Sequence, residues 1–321
     1  MTVDVRMVPP LAGGTTTRFA RRVRAYDRVA RTALLALLLV SLLVLAVLLF
    51  DVTTKAIPVL TGRPVEFLSG TTSSNADVYG IAQGIRGTFA IAVFTIVLAF
   101  PIGVATAIYL EEYAPDNRLT RFIDVNIRNL AGVPSVVYGL LGLAVFVRLF
   151  GPETRTTGSL ANLTGGSTVV TAGLTIAILV LPIVIITAAE AIRAVPTSLR
   201  EGGYGIGATK WQVTRRLTLP SAVPGILTGT ILSLSRAVGE TAPLIVVGYT
   251  TGFLVSRGSF LEQLYGGYTA LPGQIYTLAR QPGNAFRDEL ASAAIVVLLL
   301  ITLSANAVAI VLRNRYDKGS S

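Results

Sequence analysis

PGILTGTILSLSRAVGETAPLIVVGY, residues Pro224–Tyr249, is apolar or small at every position but two, Arg236 and Glu240. It is long enough to cross a hydrocarbon core of ~30 Å, which takes about 20 helical residues. A guanidinium near the bilayer centre costs roughly 2.5–3.5 kcal/mol on insertion scales, so it normally faces a partner or a watery path. Glu240 stands four residues on, one helical turn away on the same face. The stretch reads as a membrane span that carries a polar route with a fixed positive charge along it.

Outward from this stretch, five further windows contain no charged residue: Thr32–Phe50, Thr88–Leu110, Asn129–Val147, Val169–Ala189 and Leu290–Leu312. Each is about the length of a spanning helix. Six spans in a chain of 321 residues, 52% hydrophobic and 14% charged, give an all-α polytopic membrane protein. The permease domain is expected over 32–312, between a basic arm at 1–31 and a short tail at 313–321.

The net charge of +10 suggests nucleic acid only until its distribution is read. Seven Arg precede the first span, which places the N-terminus in the cytoplasm. Six spans then put the loops 111–128 and 190–220 and the C-terminal tail on the same side. Those inside segments hold eighteen basic residues against eight outside. The positive-inside rule accounts for the charge, and no nucleic acid is needed. The absence of Cys and His removes disulfides, haem, iron–sulfur and the usual zinc sites, together with His proton relays. Thr32–Phe50 is too long for a signal-peptide core and is read as an uncleaved first span.

Pro101 and Gly103 predict a kink in the second span, and Gly132-Val-Pro-Ser135 an irregular start to the third. Outer segments are expected at 51–86, 148–167 and 250–289, the last with a surface helix near Gln274–Ala279. Asp124 and Arg128 read as solvated charges, and Trp211 as an interfacial anchor. Gly225, Gly229, Ser233 and Ala237 form a small-residue stripe at i+4 spacing, which suits close approach of another helix.

Between the fourth and fifth spans the chain reads PTSLREGGYGIGATKWQVTRRLTLP, residues Pro196–Pro220. Ser198-Leu-Arg-Glu201 has the spacing of a capping box, and Thr209-Lys-Trp-Gln212 is a second copy. Gly207 suits a left-handed position that ends the first short helix, and Pro220 the opening of the next span.

Glu201-Gly202-Gly203, three residues, Gly207, nine residues, Leu217, one residue and Leu219-Pro220 resemble the EAA loop of ABC importer permeases. Gly replaces both Ala of that pattern and Leu its Ile; each Gly lowers helix stability by roughly 1 kcal/mol relative to Ala. Ser235-Arg-Ala-Val-Gly-Glu-Thr-Ala-Pro-Leu244, Gly132-Val-Pro-Ser-Val-Val-Tyr-Gly-Leu140 and Ala270-Leu-Pro-Gly-Gln-Ile-Tyr276 resemble stretches of the PstA-type phosphate permeases. The Arg-Ala-x-Gly-Glu-Thr part is shared with the sister PstC type.

This resemblance implies a type I importer permease (MetI-like) fold in the cell membrane. It implies that Glu201, Gly202, Gly203, Gly207, Leu219 and Pro220 couple to a separate ATPase, and that Arg236, Glu240 and Thr241 lie on the substrate path. A PstC-like permease, two ATPase subunits, an extracytoplasmic phosphate-binding protein and inorganic phosphate are the implied partners. No phosphate loop G-x-x-x-x-G-K-[ST] occurs, so no cofactor is expected on this chain, with ATP and Mg on the ATPase. Guanidinium offers a planar fork that matches an oxyanion. Three alternatives stay open: another oxyanion such as sulfate or molybdate, an ion-coupled secondary transporter, and Arg236–Glu240 as a buried pair that only fixes packing.

Overall fold

The computed structural model describes residues 15–150, 167–249 and 267–317. Expectations for 1–14, most of the 148–167 loop, the first part of 250–289 and the last four residues lie outside that range. The chain divides into two compact units, residues 1–54 and 55–321.

In the first unit, helix α1 (Thr15–Gly62) begins well before Thr32, so the second half of the expected 1–31 arm is helical. From Val29 to Phe50 every side chain is exposed, and nearly all are Leu, Val or Ala. A helix apolar on all faces is built for lipid or a buried setting rather than for water.

In the second unit, α1 does not stop at Asp51 as expected; its last turns bury Ala56 and Val59 in a cluster with Phe67 and Tyr79. Gly62 and Arg63 then break the chain into α2 (Pro64–Ser69), with Pro64 in the first turn, where its missing N–H costs nothing. Helix α3 (Ala82–Ile108) runs unbroken past Pro101 and ends in a π turn, Tyr109–Tyr113.

The third span is bent. Helix α4 (Arg118–Ala131), capped by the Asn117 side chain on Thr120 N–H at 2.9 Å, meets α5 (Ser135–Leu141) at 103°. Pro134 removes a donor and restricts Val133, which accounts for the break. Leu119, Phe122, Ile123 and Leu130 are exposed on α4 with Arg121 and Arg128 between them, the pattern of a helix lying along an interface. From α5 a second π turn, Gly142–Val147, continues the span.

Helix α6 (Val169–Arg193) is the axis of the unit and carries the largest share of buried residues. Against it pack α3 and α9 (Leu219–Gly239), and α9 in turn packs on α12 (Ala291–Asp317). Two short helices, α7 (Thr197–Gly205) and α8 (Lys210–Val213), lie between α6 and α9. After α9 come α10 (Ala242–Val247) and α11 (Leu271–Arg280). Among the described residues five helices are long and apolar enough to span a membrane, and the bent pair makes a sixth. No strand occurs there beyond one bridge, Thr168 to Gly267.

The expected bounds of two elements shift. Helix α11 covers Gln274–Ala279 but starts at Leu271, with Leu271, Pro272, Gly273, Gln274 and Leu278 buried against the bundle. Small residues permit this: a Cβ on Gly84 of α3 would meet Gln274 Oε1 at 2.0 Å. The fifth span is not Pro224–Tyr249. Its helical run extends from Lys210 to Gly239 and stops there. Pro243 follows Gly239 by four residues, so in a continued helix its ring would strike the Gly239 carbonyl.

Candidate translocation and coupling sites

Glu240 is therefore not a residue of a continuous helix. It is the extended C-cap of α9 (φ −72°, ψ 116°), and Thr241 heads α10. The expected pair still forms, with Arg236 Nε donating to Glu240 Oε1 at 3.1 Å. The side chains are 50% and 16% exposed in this chain. Arg236 sits in the last turn of α9, where the helix dipole favours a cation. Glu240 engages one donor of its fork, at Nε. Thr241 Oγ1 is 3.4 Å from the Gly239 carbonyl, a long contact.

Around this break the three stretches singled out in the sequence converge. A Cβ on Gly139 would stand 2.7 Å from Pro243 Cα, so α5 and α10 touch backbone to backbone. Tyr268 Oη donates to the Leu244 carbonyl at 2.8 Å, and Leu271 N–H donates to Thr88 Oγ1 at 2.8 Å. Tyr138 Oη donates to the Leu130 carbonyl at 2.8 Å and braces the bend between α4 and α5. Gln274 is fully buried, and its amide has no hydrogen-bond partner among the described residues. The small stripe is a packing face. A Cβ on Gly229 would come within 2.3 Å of Thr187 Oγ1, and Ser233 and Ala237 are buried above it.

In the loop, the Thr209 box forms as expected: Thr209 N–H donates to Gln212 Oε1 at 2.8 Å and Gln212 N–H to Thr209 Oγ1 at 3.4 Å. Gly207 takes φ +82°, the left-handed turn. The Ser198 box does not form. Pro196 takes the N-cap position and α7 starts at Thr197, two residues early, so Ser198 is already inside the helix and Pro196 has no side-chain acceptor. Pro220 does not open a new helix, because a π turn at Thr214–Thr218 carries the chain from α8 straight into α9. Leu219 N–H bonds the Thr214 carbonyl, and the shifted ladder accommodates the proline that follows.

Gly202 and Gly203 differ in what surrounds them. A Cβ on Gly202 would meet nothing within 4 Å, whereas one on Gly203 would meet Leu217 Cδ1 at 2.8 Å and Val213 Cγ2 at 2.9 Å. Gly203 is buried, and Glu201 is exposed. The loop thus presents one solvent face and one face packed on the π turn.

Sequence reasoning missed the junction beneath this loop. Glu112, in the π turn that follows α3, pairs with Arg200 of α7, with Nε to Oε1 at 3.1 Å and side chains 19% and 5% exposed for Arg and Glu. Arg200 also donates to the carbonyls of Val195 (3.0 Å) and Ile192 (2.8 Å). The partners are 88 residues apart, and only the opposite charges of the two inside loops hinted at them.

Residues 99–319 match the family described as binding-protein-dependent transport system inner membrane component. The probable ABC transporter permease YqgH of Bacillus subtilis is 36% identical over 191 residues, 58% of this chain and 59% of its own. The chain therefore aligns with less than two thirds of that relative. The phosphate transport system permease protein PstA of Yersinia pestis is 30% identical over 313 residues, 96% of this chain and 97% of its own. A chain of the inward-facing MetNI methionine ABC transporter superposes at a TM-score of 0.56 with 18% identity, over 74% of this chain and 97% of its own. That likeness concerns the fold. The chain belongs to the binding-protein-dependent transport system inner membrane component family and has the helical fold of the MetI-type importer permeases.

Proposed function

We propose that the chain is the permease subunit of an ATP-driven phosphate importer and forms half of its translocation path. The observation that carries this reading is the broken helix at Glu240, which leaves Arg236 half exposed and held by its glutamate at Nε alone. Phosphate is a strongly hydrated anion, and a guanidinium meets its oxygens with paired, charge-assisted hydrogen bonds. Because Glu240 holds the charge by a single contact, Arg236 exchanges partners as the anion passes. The near full-length match to a relative named as a phosphate permease supports phosphate over other oxyanions.

The loop 196–220 docks on a separate ATPase, with Glu201 and the Gly202 side of α7 facing outward. A PstC-like permease, two ATPase subunits and an extracytoplasmic phosphate-binding protein complete the assembly. The protein sits in the cell membrane with both termini in the cytoplasm, as the distribution of Arg and Lys favours. ATP and Mg belong to the ATPase.

The test is phosphate uptake by vesicles that hold the complete complex, wild type against Arg236→Lys. Lys keeps the charge and loses the fork. Uptake lost while assembly and ATP hydrolysis persist is the expected result. Unchanged uptake makes the fork geometry dispensable and moves the search for the substrate site to other residues, and uptake lost together with assembly makes the pair a structural one.

A further inference from the structure

The π turn Tyr109–Tyr113 presents three consecutive residues to three cations on three different elements. Glu111 takes Arg193 of α6, with Nη2 to Oε1 at 2.5 Å and Nε to Oε2 at 3.2 Å. Glu112 takes Arg200 of α7, as described above. The Tyr113 ring lies under Lys210 of α8, 5.2 Å from Nζ to the ring centroid. Such turns add one residue to a helix and occur frequently at functional sites. We infer that Glu112 and Tyr113 are the mechanical link through which the loop 196–220 moves α3, with Arg200 as its pivot. This rests on the reading of that loop as the ATPase-docking element.

Three observations support the link. First, α7 is too weak to hold its own place: nine residues, three of them Gly, fall short of the ~12–15 that an isolated helix needs even with good formers. Its position comes from Gly203 packed on Val213 and Leu217 and from Arg200 anchored inward. Second, Arg200 binds one carboxylate and two main-chain carbonyls, so a single guanidinium joins the end of α3, the end of α6 and α7. Third, a buried ion pair gains little net stability over an apolar contact, and its best-attested use is to fix register or to switch. Glu111–Arg193 differs in kind, since Arg193 is 58% exposed and belongs to α6 rather than to the loop.

Two measurements on the full complex test this. In the first, phosphate moved per ATP hydrolysed is compared for wild type, Glu112→Gln, Tyr113→Leu and Glu111→Gln. The ratio falls on the order of tenfold in Glu112→Gln and severalfold in Tyr113→Leu, the size typical of coupling between two sites. It holds in Glu111→Gln. Tyr113 is 38% exposed and carries no charge, so Tyr113→Leu keeps the test open if Glu112→Gln fails to assemble. An unchanged ratio in the assembled variants, or an equal loss in Glu111→Gln, overturns the inference while the importer reading stands.

The second measurement does not depend on the substrate. The chain has no Cys, so spin labels can be placed on cysteines at Ile206 and Tyr109, both exposed. The distance between them is read with and without trapped ATP. In wild type it stays fixed as the two elements move together, and in Glu112→Gln it changes. A distance that changes equally in wild type overturns the link whatever the transported anion is.

Discussion

Arg200 and Arg236 each pair with a glutamate at 3.1 Å, yet the two pairs stand in different surroundings. Arg200 is 19% exposed and has two carbonyls besides its 5% exposed Glu112; Arg236 is 50% exposed and holds Glu240 by one contact. The first pair is locked by a full set of bonds at the meeting point of three elements. The second sits on a helix break with donors to spare. The same two residue types thus serve as a fixed joint in one place and as an exchangeable contact in the other.

That contrast yields predictions in order of size. Arg200→Ala leaves a buried carboxylate without its partner, and such losses cost about 3–5 kcal/mol. Thermal unfolding of the purified complex should show it as the largest drop of the series; a near-neutral result would dissolve the distinction between the two pairs. Gly229→Ala forces a methyl toward Thr187 and should cost roughly 1–3 kcal/mol, the usual penalty for overpacking. It shows that the stability of the Arg236 region resides in the stripe below the pair.

Gly202→Ala should raise stability by up to about 1 kcal/mol, since the added methyl meets open space and helix propensity improves. Gly203→Ala should gain less or lose, because Leu217 and Val213 have to shift. Equal effects at the two positions would mean that α7 is not packed as described. Smallest of all, Arg236→Ala should change the melting point little, since pairs this exposed are worth about 0–1 kcal/mol. Its effect on uptake should nevertheless be complete, and this separation of stability from transport sharpens the comparison most.

Much of this was legible in the sequence where one-dimensional rules apply. Apolar windows located α6 and the start of α12, the Thr209 box and Gly207 formed as their spacing implied, and the bend at Gly132–Ser135 followed from Pro134. Failures arose where one local signal outranked another. Pro196 displaced Ser198 as the cap, and Pro243 acting on the Gly239 carbonyl four residues back cut the span that hydropathy alone had carried to Tyr249. The junction of Glu112 with Arg200 was invisible because its cause is tertiary. Glu112 and Arg200 are far apart in the chain, and only the folded arrangement of α3, α6 and α7 brings them together. The Arg236–Glu240 pair was found for a reason that proved incomplete: the residues do meet, but across a helix end rather than along a continuous face.

The most direct test of the central claim is ATP-driven uptake by the complete wild-type complex in sealed vesicles, with labelled phosphate against labelled sulfate and molybdate. Phosphate accumulation that stops without ATP, and that the other two anions neither share nor block, is the predicted result. Accumulation of sulfate or molybdate in its place, or phosphate entry that proceeds without ATP, would contradict it.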